Sequence, residues 1–335
     1  MPIGFDCGTY NLVSCHRDSK GNFVTKREVN AFLEFPLEDF VFNMMKAAKV
    51  PLIEREDDNV AYALGEAAVK MAYTMSKLEL KRPMSQGCVN PKEKDAFQIL
   101  SIMCHSLLDG VKKDNELLFY SVPANALNEE TDADYHSKIL QAIFKAYVSE
   151  DGLRVDPRPI NEGLALVYAE LQAKTYTGIG ISFGAGMVNL CFSMFGNPIF
   201  QFALVNSGDW IDKMAAKATG ENPTFINREK TKVDLSKTPD TLVERAIQTQ
   251  YRIMIEKTVF GIKQGLSGAS KTIRSDDPVD IVIAGGTSMP PGFTEMFREV
   301  LAVAKLPIKV GEIVRPSDPL YSVARGCLLA AEAAK

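Results

Sequence analysis

The strongest constraint on the fold is a glycine turn between apolar strands that occurs twice. Near the start the chain reads Ile3-Gly4-Phe5-Asp6-Cys7-Gly8-Thr9-Tyr10-Asn11-Leu12-Val13, and past the middle it reads Gly180-Ile181-Ser182-Phe183-Gly184-Ala185-Gly186-Met187-Val188-Asn189-Leu190-Cys191. Each is an apolar run, a Gly-x-[Asp/Ser]-x-Gly turn and a second apolar run. Without a Cβ, glycine lets backbone N–H groups approach an anion closely. Two such hairpins half a chain apart predict two related halves facing one ligand. The length of 335 residues leaves room for this, because one core seldom organises so long a chain and two domains are expected.

A third turn follows the strand-like run Asp280-Ile281-Val282-Ile283-Ala284, as Gly285-Gly286-Thr287. After Pro290 and Pro291 the spacing predicts a helix from Phe293 to about Lys305. Further helices are expected over 134–148, 161–173, 209–219, 241–266 (one or two) and 322–334, and strands over 117–122, 178–183, 188–194, 198–205 and 279–284. The alternation marks an α/β fold. Val29 to Thr74 reads as an irregular subdomain inserted into the first half, charged around Glu54-Arg55-Glu56-Asp57-Asp58.

Charge and cysteines narrow the partners. The 38 basic and 42 acidic residues give a net charge of -4 with no long run of either sign, so nucleic acid is not the expected partner. None of the six cysteines forms a C-x-x-C pair, which points to a reducing compartment. Cys15-His16 and Cys104-His105 raise a metal site built from distant segments, but structural zinc favours close-spaced ligand pairs, so buried thiols are the favoured reading. The N-terminus MPIGFDCGTY has no signal-peptide pattern, no apolar run reaches about 18 residues, and AAEAAK is no prenylation signal. A cytoplasmic location is expected.

Taken in order, the three turns and intervening helices resemble the actin, sugar kinase and heat-shock chaperone ATPase superfamily. Asp6-Cys7-Gly8-Thr9-Tyr10-Asn11 resembles its phosphate-1 loop, Gly184-Ala185-Gly186 its phosphate-2 loop, and Gly285-Gly286-Thr287 its adenosine motif. Ile160-Asn161-Glu162-Gly163 and Val323-Ala324-Arg325-Gly326 resemble the two helices that cross between its halves. Arg82-Pro83-Met84-Ser85-Gln86-Gly87-Cys88-Val89, Tyr62-Ala63-Leu64-Gly65-Glu66-Ala67-Ala68 and Val122-Pro123-Ala124 are similar to stretches of bacterial actins of the MreB and MamK type. Chaperone ATPases of this superfamily continue into a substrate-binding domain, whereas this chain ends at Lys335.

The resemblance implies a two-domain actin-like ATPase fold with duplicated ribonuclease H-like halves. The first is expected over 1–165 with an insertion at about 29–75, and the second over 166–314 with an insertion at about 206–270. A terminal helix within 315–335 returns to the first half. It further implies ATP or ADP bound with Mg2+. Gly8, Thr9, Tyr10 and Asn11 would meet the phosphates, Asp6 would hold the metal, and Glu162 would position the attacking water. Gly184, Ala185, Gly186, Gly285, Gly286 and Thr287 would complete the site. Glu229 and Lys232, three apart in Arg228-Glu229-Lys230-Thr231-Lys232, would flank ribose and adenine, although the same spacing suits a solvated helical ion pair.

Several positions depart from the family. Its second loop carries an acid and hydroxyl side chains where this chain has Ser182, Met187, Val188 and Asn189, and its proline after the acid is Gly163. Weakened metal binding, slow or absent hydrolysis and a loosened start to the crossing helix are expected. The resemblance implies a filament-forming cytoskeletal protein whose partner is itself. Phe32 to Ile53, with Phe32, Phe35, Phe40, Phe42, Met44 and Met45, is either the core of its subdomain or a patch for a membrane or protein partner. The alternatives are a non-polymerising chaperone-like or reactivase-like regulatory module and, ranked below it, a small-molecule kinase.

Overall fold

In a computed structural model, which describes all residues except 39, 49, 51, 75–78, 128–130, 270–276 and 335, the chain opens on an antiparallel meander. Its strands are β1 (Ile3–Cys7), β2 (Asn11–Arg17) and β3 (Phe23–Val29). Then β4 (Phe32–Pro36), α1 (Phe40–Ala47), β5 (Leu52–Arg55), β6 (Val60–Leu64) and α2 (Gly65–Thr74) build a separate three-stranded sheet in the order β4-β6-β5. This corrects the reading of 29–74 as irregular.

A short hairpin, β7 (Met84–Ser85) and β8 (Cys88–Val89), and α3 (Ala96–Ser106) lead back to the first sheet. There β9 (Glu116–Val122) lies parallel to β1, and β10 (Val155–Asn161), reached through α4 (Ala133–Lys145), lies parallel to β9. The order is β10-β9-β1-β2-β3.

After α5 (Glu162–Glu170) the plan repeats. A meander of β11 (Gly178–Phe183), β12 (Val188–Met194) and β13 (Asn197–Leu204) is followed by α6 (Gly208–Thr219), α7 (Pro223–Lys230) and α8 (Leu242–Gly268). Then β14 (Val279–Ala284), α9 (Phe293–Ala304) and β15 (Val310–Val314) add two parallel strands, giving β13-β12-β11-β14-β15. The last helix is α10 (Ser322–Ala333). The two five-stranded sheets therefore share one topology. The segment expected as one or two helices is a single one, opened by a capping box in which Thr241 and Glu244 satisfy each other's backbone N–H groups.

Between the sheets, α5 packs on β11 and β12, α10 packs on β1, β2 and β9, and the two helices pack on each other. Glycines permit this approach at equivalent places in the two halves. A Cβ on Gly4 in β1 would run into the Ala324 carbonyl of α10, and one on Gly180 in β11 would run into the Gly163 carbonyl of α5. Gly163 is itself pressed against the backbone of Leu190 and Cys191. The expected loosening at this residue is thus corrected. Gly163 is the residue that fits, and Asn161 caps the helix through Oδ1, which accepts from Leu164 N at 3.2 Å.

Each half has its own apolar core. Phe183, Phe293 and Phe297 pack edge to face under the second sheet, and Phe5, Tyr120 and Phe144 cluster under the first. The segment 32–53 divides: Phe35 and Phe42 are buried in its subdomain core, Phe32 is buried in the core of the first half, Met45 packs against the subdomain core, and Phe40 and Met44 are 72% and 49% exposed. Three of its residues lie outside the described ones. Cys15 and Cys104 are buried free thiols and His105 Nε2 bonds to the Ile143 carbonyl at 2.8 Å, so among the described residues the Cys-His dipeptides form no common metal cluster.

One backbone contact joins the sheets directly. The strand-end segment after β9 reaches β13, where Ala126 and Ala203 form a parallel bridge, Ala203 N donates to Asn125 O and Leu127 N donates to Ala203 O, both at 3.0 Å.

Candidate functional site

The two glycine turns face each other across a cavity of about 510 Å³. They are built alike. Gly8 N donates to Asn11 O at 3.0 Å in the first, and Gly184 N donates to Met187 O at 2.9 Å in the second. A Cβ would stand 2.6 Å from the acceptor carbonyl at Gly8 and 2.8 Å at Gly184, which is why both turns need glycine.

The first turn presents polar chemistry to the cavity. Asp6 ends β1, and its Oδ1 accepts from Ser121 Oγ at 2.8 Å, while Cys7 N donates to the same hydroxyl at 2.9 Å. Thr9 Oγ1 accepts from Gly87 N at 3.1 Å. Asn30, which the sequence reading did not single out, pins the turn by donating from Nδ2 to Gly8 O at 3.0 Å and from its backbone N to Tyr10 O at 2.8 Å. Asn11 Oδ1 is a buried acceptor with no hydrogen-bond donor among the described residues.

Glu162 lines the cavity from the first turn of α5, bonded to Ser182 and Asn189 of the opposite hairpin. Burial raises its pKa to about 8, with the charge of Asp6 adding to the effect and the two side-chain bonds opposing it. Burial likewise raises Asp6 to about 6, against the pull of the Ser121 hydroxyl. Asn189 Oδ1 also accepts from Ala124 N at 3.0 Å, tying the second hairpin to the end of β9.

The second turn offers backbone instead. Its carbonyls are occupied: Gly184 O accepts from Gly208 N at 3.1 Å and Thr287 Oγ1 at 2.8 Å, and Ala185 O accepts from Asp209 N at 2.8 Å and Ser207 Oγ at 2.5 Å. The N–H side is what remains for a ligand. Met187, only 2% exposed, packs with Ala124, Ala203 and Val205 and presents no hydroxyl.

At the far end the wall is made by Gly285, Gly286, Thr287, Met289, Pro290, Pro291, Pro319 and Leu320, facing Asn227, Lys230, Thr231 and Tyr251. Here the expected pair is corrected. Glu229 and Lys232 bond to each other at 2.9 Å on the outer surface, and neither lines the cavity. Asn227 and Lys230, also three apart, occupy the inner face. Lys230 Nζ is held by Asp212 at 2.7 Å and donates to Gly208 O at 2.8 Å, and Asn227 Nδ2 donates to Asp212 Oδ2 at 2.7 Å. The helix signal was present in Asn222-Pro223, where Asn222 caps α7 and sets its register. Counting turns from that cap places Asn227 and Lys230 on the inner face.

Arg27, which the sequence reading also passed over, lines the cavity from β3 and has no ion pair among the described residues. The remaining candidates, Gly8, Thr9, Tyr10, Asn11, Gly184, Ala185 and Gly186, all lie on the lining with Asp6, Glu162, Gly285, Gly286 and Thr287. Asp6, Glu162 and the orphaned Asn11 Oδ1 form a set of hard oxygen donors that fits a small divalent cation such as Mg2+. A larger groove of about 840 Å³ lies between Phe119, Tyr168 and Phe195; it includes the Phe195-Gly196 turn between β12 and β13, and among the described residues Asp134 is its only charged lining residue.

Comparison with known proteins agrees with this layout. No curated protein matches the sequence. Among solved structures, a MamK double helical filament is similar with a TM-score of 0.70 at 16% identity, covering 99% of this chain and 98% of that one. MreB 5 of Spiroplasma citri bound to AMPPNP gives 0.64 at 14%, covering 97% and 94%. The ethanolamine utilization protein EutJ from Carboxydothermus hydrogenoformans gives 0.52 at 17%, covering 98% and 89%. The fold is the two-domain actin-like one. The family described as Volactin matches residues 1–331, and with nearly the whole chain spanned, the protein belongs to the Volactin family.

Proposed function

We propose that this chain is an actin-like protein that binds ATP with Mg2+ in the 510 Å³ cavity, assembles into filaments and hydrolyses the nucleotide slowly. The observation that carries the reading is the pair of glycine turns, each closed by the same backbone bond, facing each other across a cavity that is also lined by Asp6 and Glu162. Backbone N–H groups of both turns would receive the phosphates, a geometry suited to phosphoryl positioning rather than covalent catalysis. Bound Mg2+ would neutralise the β- and γ-phosphates. Asp6 and Asn11 would orient it, Glu162 would hold the attacking water, and Asn227 and Lys230 would line ribose and base. Halves over 1–165 and 166–314, with 315–335 returning to the first, would close on the ligand.

Slow hydrolysis is supported by the second turn, where Ser182 supplies no second carboxylate and Met187 and Val188 supply no hydroxyl. Self-assembly is supported by fold likeness to a MamK filament, and exposed Phe40 and Met44 on α1 offer a contact for a further subunit, protein or membrane surface. No helix among the described residues is long and apolar enough to cross a membrane. A cytoplasmic location is part of the proposal. The alternative is a non-polymerising regulatory module; the fold is shared by EutJ as well as by a MamK filament, so fold alone does not favour assembly over it.

High-speed pelleting and negative-stain microscopy with Mg-ATP, Mg-AMPPNP or no nucleotide test the assembly. Nucleotide-dependent filaments are expected; a chain that binds nucleotide and stays monomeric overturns assembly in favour of the regulatory module. Phosphate release at saturating Mg-ATP tests the slow turnover, and a fast, Glu162-dependent rate would sink it.

A further inference from the structure

An ion pair links the segment before β7 to the start of α6, beside the two glycine turns. Arg82 precedes β7, on the segment returning from the inserted subdomain, and Asp209 lies in the first turn of α6. Arg82 Nη1 donates to both carboxylate oxygens of Asp209, at 2.9 and 2.8 Å. Each side chain keeps about a quarter of its surface, 25% and 24%, and neither has another ion-pair partner among the described residues. A half-shielded, charge-assisted contact of this kind is held more firmly than an exposed pair.

What the pair joins gives it a role. The Arg82 guanidinium sits over the ring of Tyr10, 5.0 Å from its centroid, and Tyr10 belongs to the first glycine turn. Asp209 N donates to Ala185 O of the second turn at 2.8 Å. One turn further along α6, Asp212 holds Lys230 and Asn227 at the far end of the cavity. Beside the direct packing of Thr9 and Gly87 on Gly186, this side-chain contact therefore connects the first turn, the second turn and the helix that carries Asp212. The other ties between the sheets, Ala124 to Asn189 and 125–127 to Ala203, engage the backbone and do not depend on a charge.

The geometry points to Arg82 and Asp209 as a latch that sets the spacing of the two turns, so that release of a nucleoside triphosphate requires the pair to part. The inference rests on the nucleotide reading of the cavity. It makes Arg82 and Asp209 positioning residues, since neither lines the cavity itself.

Two readouts test it on the full chain. Stopped-flow release of a fluorescent ATP analogue, chased with unlabelled Mg-ATP, is expected to be about tenfold faster in R82A and D209A, a change of about 1.4 kcal/mol in barrier. R82K keeps the charge without the fork and is expected between wild type and R82A. The swap R82D/D209R is expected to release more slowly than either alanine variant. The second readout needs no nucleotide: Trp210, the one tryptophan, follows Asp209 in sequence, so acrylamide quenching of its emission should rise in both alanine variants and fall back in the swap. Circular dichroism confirms which variants are folded, and R82K and the swap serve where an alanine variant is not. Release and quenching both within about twofold of wild type in the folded variants overturn the latch. A wild-type chain that binds no ATP analogue overturns the nucleotide reading instead, while the quenching series still decides whether the pair holds the cavity shut.

Discussion

The two glycine turns share a backbone and differ in chemistry. Each closes with the same glycine N–H to carbonyl bond, yet the first is surrounded by Asp6, Thr9, Asn11 and Asn30, whereas the second carries Ser182 and a buried Met187. Duplication explains the common geometry. On the proposed reading, the difference teaches that anion-binding backbone and metal-orienting side chains are separable: one hairpin would supply both and the other only the first.

The most severe way to break this comparison is to strip the first turn. D6A should lower Mg-ATP affinity about 100-fold, about 2.7 kcal/mol, and abolish the Mg2+ dependence, as measured by calorimetry with and without metal. S182A should change that affinity little; a comparable loss in both variants would make the turns chemically equivalent. The opposite experiment rebuilds the second turn. S182D/M187T/V188T should raise phosphate release about tenfold with Mg2+, while lowering the melting temperature of the metal-free protein because a third carboxylate joins Asp6 and Glu162. No gain in turnover would mean that the missing side chains are not what limits hydrolysis.

Smaller effects follow on the first half. R27A should weaken ATP and ADP about fivefold, about 1 kcal/mol, and leave adenosine binding unchanged, which separates a phosphate contact from a general loss of structure. The acids also give a pH signature. Asp6 and Glu162 have pKa values raised by burial to about 6 and about 8, so the folded, ligand-free chain holds protons that the unfolded chain has already lost. Stability contributed this way is present below pH 4 and declines as pH rises through 6 and 8. Urea titrations should show that decline, flattened in E162Q and offset by Mg2+. A stability that climbs over this interval, with no difference between wild type and E162Q, would remove burial as the cause.

Much of the fold was legible because β11, β12 and β14 are buried on both faces and read as mostly apolar runs at Gly178–Phe183, Val188–Met194 and Val279–Ala284. Other strands hide for physical reasons. Within β10, Pro157 and Pro159 remove donors that an edge strand can spare, so Val155–Asn161 does not look like a strand. The half-exposed β3 carries Lys26-Arg27-Glu28 and lacks an apolar run. In the site, turns are legible as glycines in sequence, but Asn30 and Arg27 act through folding of the chain back on itself, and no local spacing announces them. Gly163 was visible and misread, because its reason lies in the close approach of Gly180 and Cys191.

The bridge from Ala126 to Ala203 has a consequence for assembly. Sheet edges are where chains add strands to one another, and three edges of this molecule are blunted. The outer side of β13 is bridged at Ala203 by the chain's own 125–127 segment, β10 has two prolines, and β3 displays three consecutive charges. Along these three edges a filament built from this chain would grow by docking side-chain surfaces, which can dissociate when a ligand leaves, rather than by strand addition, which tends toward irreversible cross-β growth.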